Sequence, residues 1–416
     1  MRARALMLAC AAAIATPAAA AAAEPAPAAL KLERVVMLMR HSVRPPTSAK
    51  VTPPGWAAEA WPAWSTPFGE LTPHGAAGAR LMGAYDRQAF AARGMLAAQG
   101  CPRRGDIAVW ASGKSRSIDT AKNYAEAMFP GCGVKVDHPV DENNDPVFHP
   151  LDSGATIDGA RALAATQARL PAGGLAAVQA GHAEDFALLQ RILGKPAECA
   201  APGCNLADIP SQFESSPHDG PDLTGALGTA STAGSTLMLS YVEGKPMSEV
   251  GWGRATKADL TQLLGFHATK FQWEARTPYV AERAAAPIAR RILQAMTREP
   301  GTGKLTLLVG HDTNIAQLGG MLDLHWQAGD YAPDDPPPGG ALGFELLRDA
   351  RGHRFVRAFY QAQTMDQLRN LTPLTLEAPP AHDYLPLPGC TTLASDPCPL
   401  ARFRAIVQRK LDHPAP

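Results

Sequence analysis

Two short apolar runs constrain the fold of this chain more than any other feature: Val35-Val36-Met37-Leu38-Met39 near the start and Leu305-Thr306-Leu307-Leu308-Val309 far downstream. Neither shows the polar alternation of a half-exposed strand, so both read as strands buried on two faces of a sheet, the first a central one. Between them, Leu71-Thr72-Pro73-His74 offers a helix start, with Thr72 as cap and Pro73 in the first helical position. The Ala-, Leu- and Met-rich stretch after it predicts a long helix reaching about Ala98. Residues from Ile107 to Ala111 read as another strand, and those from Ser115 to Met128 as a helix closed by Pro130-Gly131. Alternating strands and helices predict an α/β fold with a mainly parallel sheet flanked by helices.

From about Asp152 the pattern changes. Helical composition runs from Ala160 to Leu170, from Ala183 to Leu193 and from Ala258 to Ala275, with no convincing strand between. The expected organisation is an α/β domain formed by residues 30–151 and 286–416, carrying an inserted smaller all-α domain over 152–285. After the downstream strand a helix is expected from Thr313 to Leu324. An antiparallel hairpin follows around Asp349-Ala350-Arg351-Gly352.

With 416 residues, 46% of them hydrophobic and 19% charged, the chain can bury a large core. Basic and acidic residues balance at 39 each, so no global field favours nucleic acid or an anionic membrane, and any charge that matters is local. Arg2 and Arg4, an apolar run from Ala5 and small residues leading to Ala23 read as an export signal over residues 1–23. A membrane span and a lipid-modified Cys10 are weaker alternatives: the stretch is short, rich in alanine and broken by Pro17. Removal of the signal leaves Cys101, Cys132, Cys199, Cys204, Cys390 and Cys398, an even set that suggests disulfides in a periplasmic or secreted protein. Their order along the chain pairs Cys101 with Cys132, Cys199 with Cys204 and Cys390 with Cys398. No cysteine knuckle or His-x-x-x-His supports a metal site.

The chemistry gathers in two loops. Directly after the first strand stands Arg40-His41-Ser42-Val43-Arg44-Pro45-Pro46-Thr47, two arginines bracketing a histidine. Guanidinium forks match phosphate oxygens, and a neutral imidazole among them can attack phosphorus. After the later strand comes Gly310-His311-Asp312-Thr313-Asn314. Ligands of open α/β sheets collect beyond the carboxyl ends of strands, so the two loops can converge. His311 is then a donor to a phosphate oxygen, and Asp312 an acid for the leaving alcohol, provided that it keeps its proton. Alone, either loop can equally be a solvated turn or a helix cap.

These residues, with Pro337-Pro338-Gly339-Gly340 and Gly251-Trp252-Gly253-Arg254, resemble the histidine acid phosphatases, and within them the bacterial periplasmic phytase and glucose-1-phosphatase group. The resemblance covers nearly the whole mature chain and implies the phosphoglycerate-mutase-like superfold. It implies His41 as nucleophile, Asp312 as proton donor, and Arg40, Arg44, His311 and a third arginine as phosphate ligands. Lys114-Ser115-Arg116-Ser117 places that arginine at Arg116. Thr47, His267 and Arg276 resemble positions that contact the substrate's outer phosphates. Two departures stand out: Ser42 where many relatives have glycine, and Ser112 where the phytases carry a pocket aspartate.

The resulting expectation is a cofactor-free, metal-free phosphomonoesterase for small phosphate esters, phytate (inositol hexakisphosphate) included, with no nucleic-acid partner and no membrane anchor once the signal is cleaved. Glucose 1-phosphate and other sugar phosphates are the close alternative. A phosphoglycerate-mutase-like enzyme and a non-catalytic binder of phosphorylated ligands are the rivals. Oligomeric state leaves no mark in the sequence.

Overall fold

The computed structural model describes residues 30–154, 156–194, 205–215 and 220–415. The expected signal segment and the expected Cys199–Cys204 pair lie outside them. The chain runs β1 (Lys31–Arg40), α1 (Pro73–Ala92), β2 (Ile107–Ala111), α2 (Ser115–Met128) and β3 (Val136–Asp137). A helical stretch follows: α3 (Gly159–Gln167), α4 (Gly174–Gly181), α5 (Ala183–Leu193), a hairpin of β4 (Gln212–Glu214) and β5 (Asp222–Thr224), α6 (Gly225–Val242), α7 (Lys257–Glu274), α8 (Pro278–Ala284) and α9 (Ala286–Thr297). The last part holds β6 (Leu305–Gly310), α10 (Asp312–Leu322), β7 (Ala341–Arg348), β8 (Arg354–Ala362), α11 (Met365–Arg369), β9 (Ala381–Leu385), β10 (Cys398–Pro399) and α12 (Leu400–Asp412).

The main sheet has the order β10-β8-β7-β1-β6-β2-β3, with β9 also on β8. The strands β1, β6, β2 and β3 are parallel, and the expected hairpin, β7–β8, extends them antiparallel beyond β1. Side chains of β1 alternate between two cores. Val36 and Leu38 pack with Ile288, Ile292, Ile315 and Phe403 of α9, α10 and α12 on one face. Val35, Met37 and Met39 meet Met82, Phe90, Tyr124 and Met128 of α1 and α2 on the other. Both faces being covered explains why the run is continuously apolar. Truncating Leu38 to alanine removes core contacts worth about 2–5 kcal/mol.

Three expectations change. The first helix starts as read, with the Thr72 hydroxyl accepting from Gly75 N–H, but it stops at Ala92. Gly94 takes a left-handed turn (φ +71°) and Met95 N–H returns to Phe90 O, so the alanines beyond it are not helical despite their propensity. The middle stretch is not all-α, because β4 and β5 pair there. Finally, α6 occupies a Gly-, Ala-, Ser- and Thr-rich segment that carries no helical signal. It is nonetheless the centre of a third core, in which Leu227, Leu237 and Met238 pack with Leu260, Leu263 and Phe266 of α7. Disulfides join Cys101 to Cys132 and Cys390 to Cys398. No helix among the described residues is long and apolar enough to cross a membrane.

Candidate active site

Because β1 and β6 are parallel neighbours with Arg40 opposite Gly310, their loops leave the same end of the sheet side by side. His41 N–H donates to Gly310 O (2.9 Å), and Gly339 N–H to His41 O (3.2 Å), so the Pro337–Gly340 segment clamps the first loop from the β7 side. The rings of His41 and His311 come within 5.5 Å, centroid to centroid. Gly310 is required here: a Cβ would sit 2.4 Å from the Phe148 ring and 2.6 Å from Asn314 Oδ1. The same Asn314 oxygen accepts from His311 N–H, and its amide donates to Phe148 O, which fixes the second loop on the N-terminus of α10.

His41 is buried, with Nδ1 2.9 Å from Ser42 O. A carbonyl only accepts, so the proton sits on Nδ1 and the lone pair on Nε2, toward which Arg44 Nε points at 3.4 Å. Burial first, and then the charges of Arg44, Arg116, His311 and Arg40, hold the His41 pKa well below the ordinary imidazole range. The ring is therefore neutral in mildly acidic solution. Fully buried Arg40 donates to Pro336 O (2.5 Å), and Arg116 Nη2 lies 3.5 Å from His311 Nδ1. The Nε atoms of Arg40 and Arg116 are buried without a hydrogen-bond partner among the described residues. Buried donors left this way are costly, and an oxyanion between the arginines satisfies them.

Asp312 Oδ2 lies 2.9 Å from Arg40 Nη2 and 3.9 Å from His267 Nε2. Burial pushes its pKa up, but the charges of Arg40, His267 and Arg44 outweigh burial and hold the carboxyl well below the usual range. The expectation of a carboxyl that keeps its proton thus fails for the pocket by itself. His311 is buried and neutral for the same reasons as His41: burial first, then Arg116 and His149. Its Nε2 meets Ser112 Oγ at 3.0 Å. Ser112 follows β2 directly, which places it at the same sheet end. A cleft of about 300 Å³ over these groups is lined by His41, Arg44, Arg116, His149, His311 and Asp312, among others.

A family model for the histidine phosphatase superfamily (branch 2) matches residues 31–167 and 252–361. This chain belongs to that superfamily. It is a phosphoric monoester hydrolase. It is 36% identical to the phytase AppA of Escherichia coli over 401 residues, covering 91% of each chain. It is 31% identical to the glucose-1-phosphatase of Salmonella typhimurium over 389 residues, covering 90% of this chain and 91% of that one. Among solved structures, the Hafnia alvei phytase in complex with tartrate superposes with a TM-score of 0.86 at 31% identity, over 94% of this chain and all of that one.

The remaining residues of this histidine phosphatase fall in different places. His267, on α7, reaches Asp312 because the buried Asp335 carboxylate holds its Nδ1 at 2.5 Å. Thr47 is exposed and lines the chamber that contains Arg44, His267 and Asp312. Arg276 is a correction. It is 4% exposed, donates to Leu324 O (2.8 Å) and lies over the Trp326 ring. Gly319 and Gly320 give it room, about two turns along α10 from Asp312. The Arg-Thr-Pro string that resembled a substrate contact instead opens α8, and that packing draws the arginine away from the cleft. The Gly251-Trp252-Gly253-Arg254 string is also outside the cleft: Arg254 bridges Ile192 O and Glu59, and Trp252 packs on Trp61. Asp335 and His149, which sits 4.8 Å from the His311 ring, escaped the sequence reading. Ser112, noted in the sequence as a departure at a pocket position, does stand in the site, at the end of β2 and against His311.

Proposed function

We propose that this phosphatase works through a phosphohistidine on His41. The observation that carries the reading is the Nδ1 bond to Ser42 O, which leaves the Nε2 lone pair facing a pocket lined by Arg44 and Arg116, with Arg40 next to it on Asp312. Phosphate oxygens bind those guanidinium groups, beside His311, whose Nδ1 faces the Arg116 guanidinium and whose Nε2 meets the Ser112 hydroxyl. His41 Nε2 attacks phosphorus while the P–O bond to the alcohol breaks and Asp312 gives the departing oxygen a proton. Water then attacks the phosphohistidine, Asp312 takes a proton back, and the P–N bond breaks to release phosphate. Asp312 is ionised in the pocket by itself, so its proton comes with the substrate. A phosphate monoanion carries one, and its negative charge offsets the arginines that depress the carboxyl. The need for a protonated phosphate ester favours acidic solution, and the depressed pKa of His41 lets its ring stay neutral there.

The body of the substrate is small, and phytate is among the esters accepted, as the similarity to phytases supports; glucose 1-phosphate is the other candidate by the similarity to glucose-1-phosphatases. Residues 152–285 act as an inserted domain, its helices α6 and α7 forming one wall of the cleft against the α/β part of 30–151 and 286–416. The segment 1–23 and the cysteines support export, to the periplasm or beyond the cell. The test is phosphate release from p-nitrophenyl phosphate, glucose 1-phosphate and phytate at acidic pH, with and without chelator. Release indifferent to chelator is expected. Binding of phosphate esters without release from any of them would favour a non-catalytic binder.

A further inference from the structure

A second chamber adjoins the phosphate pocket, sharing Arg44, Asp312 and Thr313 with it. Its outer wall comes from Thr47, from Thr232 and Ser235 of α6, and from Lys270 and Glu274 of α7. Whatever an ester carries beyond its scissile phosphate lies against these groups. Lys270 Nζ stands 3.0 Å from the Asp222 carboxylate and 3.0 Å from that of Glu274. Glu274 is itself fixed, because it accepts from Leu223 N–H on β5. An ammonium already facing a carboxylate has little field left for another anion. Burial pushes the Glu274 pKa up to about 8, so below neutrality it is a carboxylic acid that can donate, and Asp222 balances Lys270. Among the described residues lining this chamber, no cation beyond Arg44 is free of a carboxylate: His267 is held by Asp335. Lys50 stands one step further out, in a cavity that meets this chamber only at Thr232 and Lys270.

The chamber thus offers hydroxyls and a neutralised lysine where a polyphosphorylated body would need positive charge. Resting on the phosphohydrolase reading above, we infer that Lys270, Glu274 and Asp222 act as specificity determinants: esters with one phosphate on an uncharged polyhydroxylated body are preferred, and further phosphates are disfavoured. A hydroxylated ring bonds to Thr47, Thr232 and Ser235. A second phosphate there must compete with Asp222 for Lys270.

The experiment compares kcat/KM at mildly acidic pH for glucose 1-phosphate and inositol hexakisphosphate, with p-nitrophenyl phosphate as the ester lacking a polyol body. The ratio of hexakisphosphate to glucose 1-phosphate is expected below one in the unaltered enzyme. It should rise about tenfold when Asp222→Asn and Glu274→Gln together release Lys270. Because that pair also supports β5, Thr232→Lys, at an exposed position of α6, provides a second route: an unpaired cation in the chamber should raise the ratio by a similar factor. A ratio above one in the unaltered enzyme, falling about tenfold in Lys270→Met, would show Lys270 serving as a phosphate ligand and overturn the inference. Failure to hydrolyse even p-nitrophenyl phosphate would instead remove the phosphohydrolase reading on which it rests.

Discussion

On the strand side of the cleft, Arg40, His41 and His311 hang from the ends of two hydrogen-bonded strands, and backbone bonds and close packing at Gly310 set their places. On the helical side, Thr47, Thr232 and Lys270 stand at partly exposed positions, and salt links between side chains set their charge. The first wall concentrates unbalanced positive charge on one phosphate. The second balances its charge and presents hydroxyls. On the proposed reading, one sheet end fixes the reaction while a separately packed helix pair selects the body that is turned over.

Substitutions can break this comparison at either wall. The largest of these effects belongs to Asp312→Asn, which removes the proposed proton carrier: a loss on the order of 10²–10³ in kcat is expected for esters of poorly leaving alcohols, and much less for p-nitrophenyl phosphate. Equal losses for both would show that Asp312 does not protonate the leaving group. Next comes Asp335→Asn, which unties His267 from beside Asp312. Roughly a tenfold fall in kcat/KM is expected from the lost charge-assisted bond, together with a shifted pH profile. An unchanged profile would reduce Asp335 to a packing residue.

Below the strand wall, Asp86 tests the fold without touching the site. It is buried on α1 against Tyr124 and Gln361, and burial, opposed by those two bonds, raises its pKa to about 7. Its unfolded value is near 3.9, so the protonated form is favoured on folding. That contribution is complete below about pH 4 and is lost as pH rises to about 7. Thermal unfolding of Asp86→Asn should therefore gain on the unaltered protein across that window, with activity little changed; a pH-independent difference would contradict the ionisation. The smallest effect on activity is expected for Arg276→Met: stability falls, because Leu324 O loses its donor, while kcat/KM stays within about twofold. A large rise in KM would restore Arg276 to the substrate.

The same contrast explains what could be read from the sequence. Val35–Met39 and Leu305–Val309 were legible because strands covered on both faces must be apolar throughout, and the residues after them inherit a known position. Arg40, His41, Arg44, His311 and Asp312 could be found that way. The helical wall left weaker traces. Helix α6 is coded by small residues whose fit against α7 is a matter of close packing, since a Cβ on Gly234 would come within 2.9 Å of Leu263 O. Its composition alone does not distinguish it from a loop. Arg276 misled because the sequence gives a helix start but not the direction in which the preceding side chain leaves. Asp335 sits 68 residues from the histidine that it holds, and nothing local marks it.

The central claim is a covalent bond between phosphorus and His41, and the direct measurement is rapid denaturing quench of the enzyme during turnover of a radiolabelled phosphate ester. The account predicts a label that is stable to alkali, labile to acid and located on the peptide containing His41. It also predicts that His41→Ala, folded by circular dichroism, carries no label and loses at least about 10⁴-fold in kcat. Turnover without a trapped label, or near-normal turnover by His41→Ala, would contradict it.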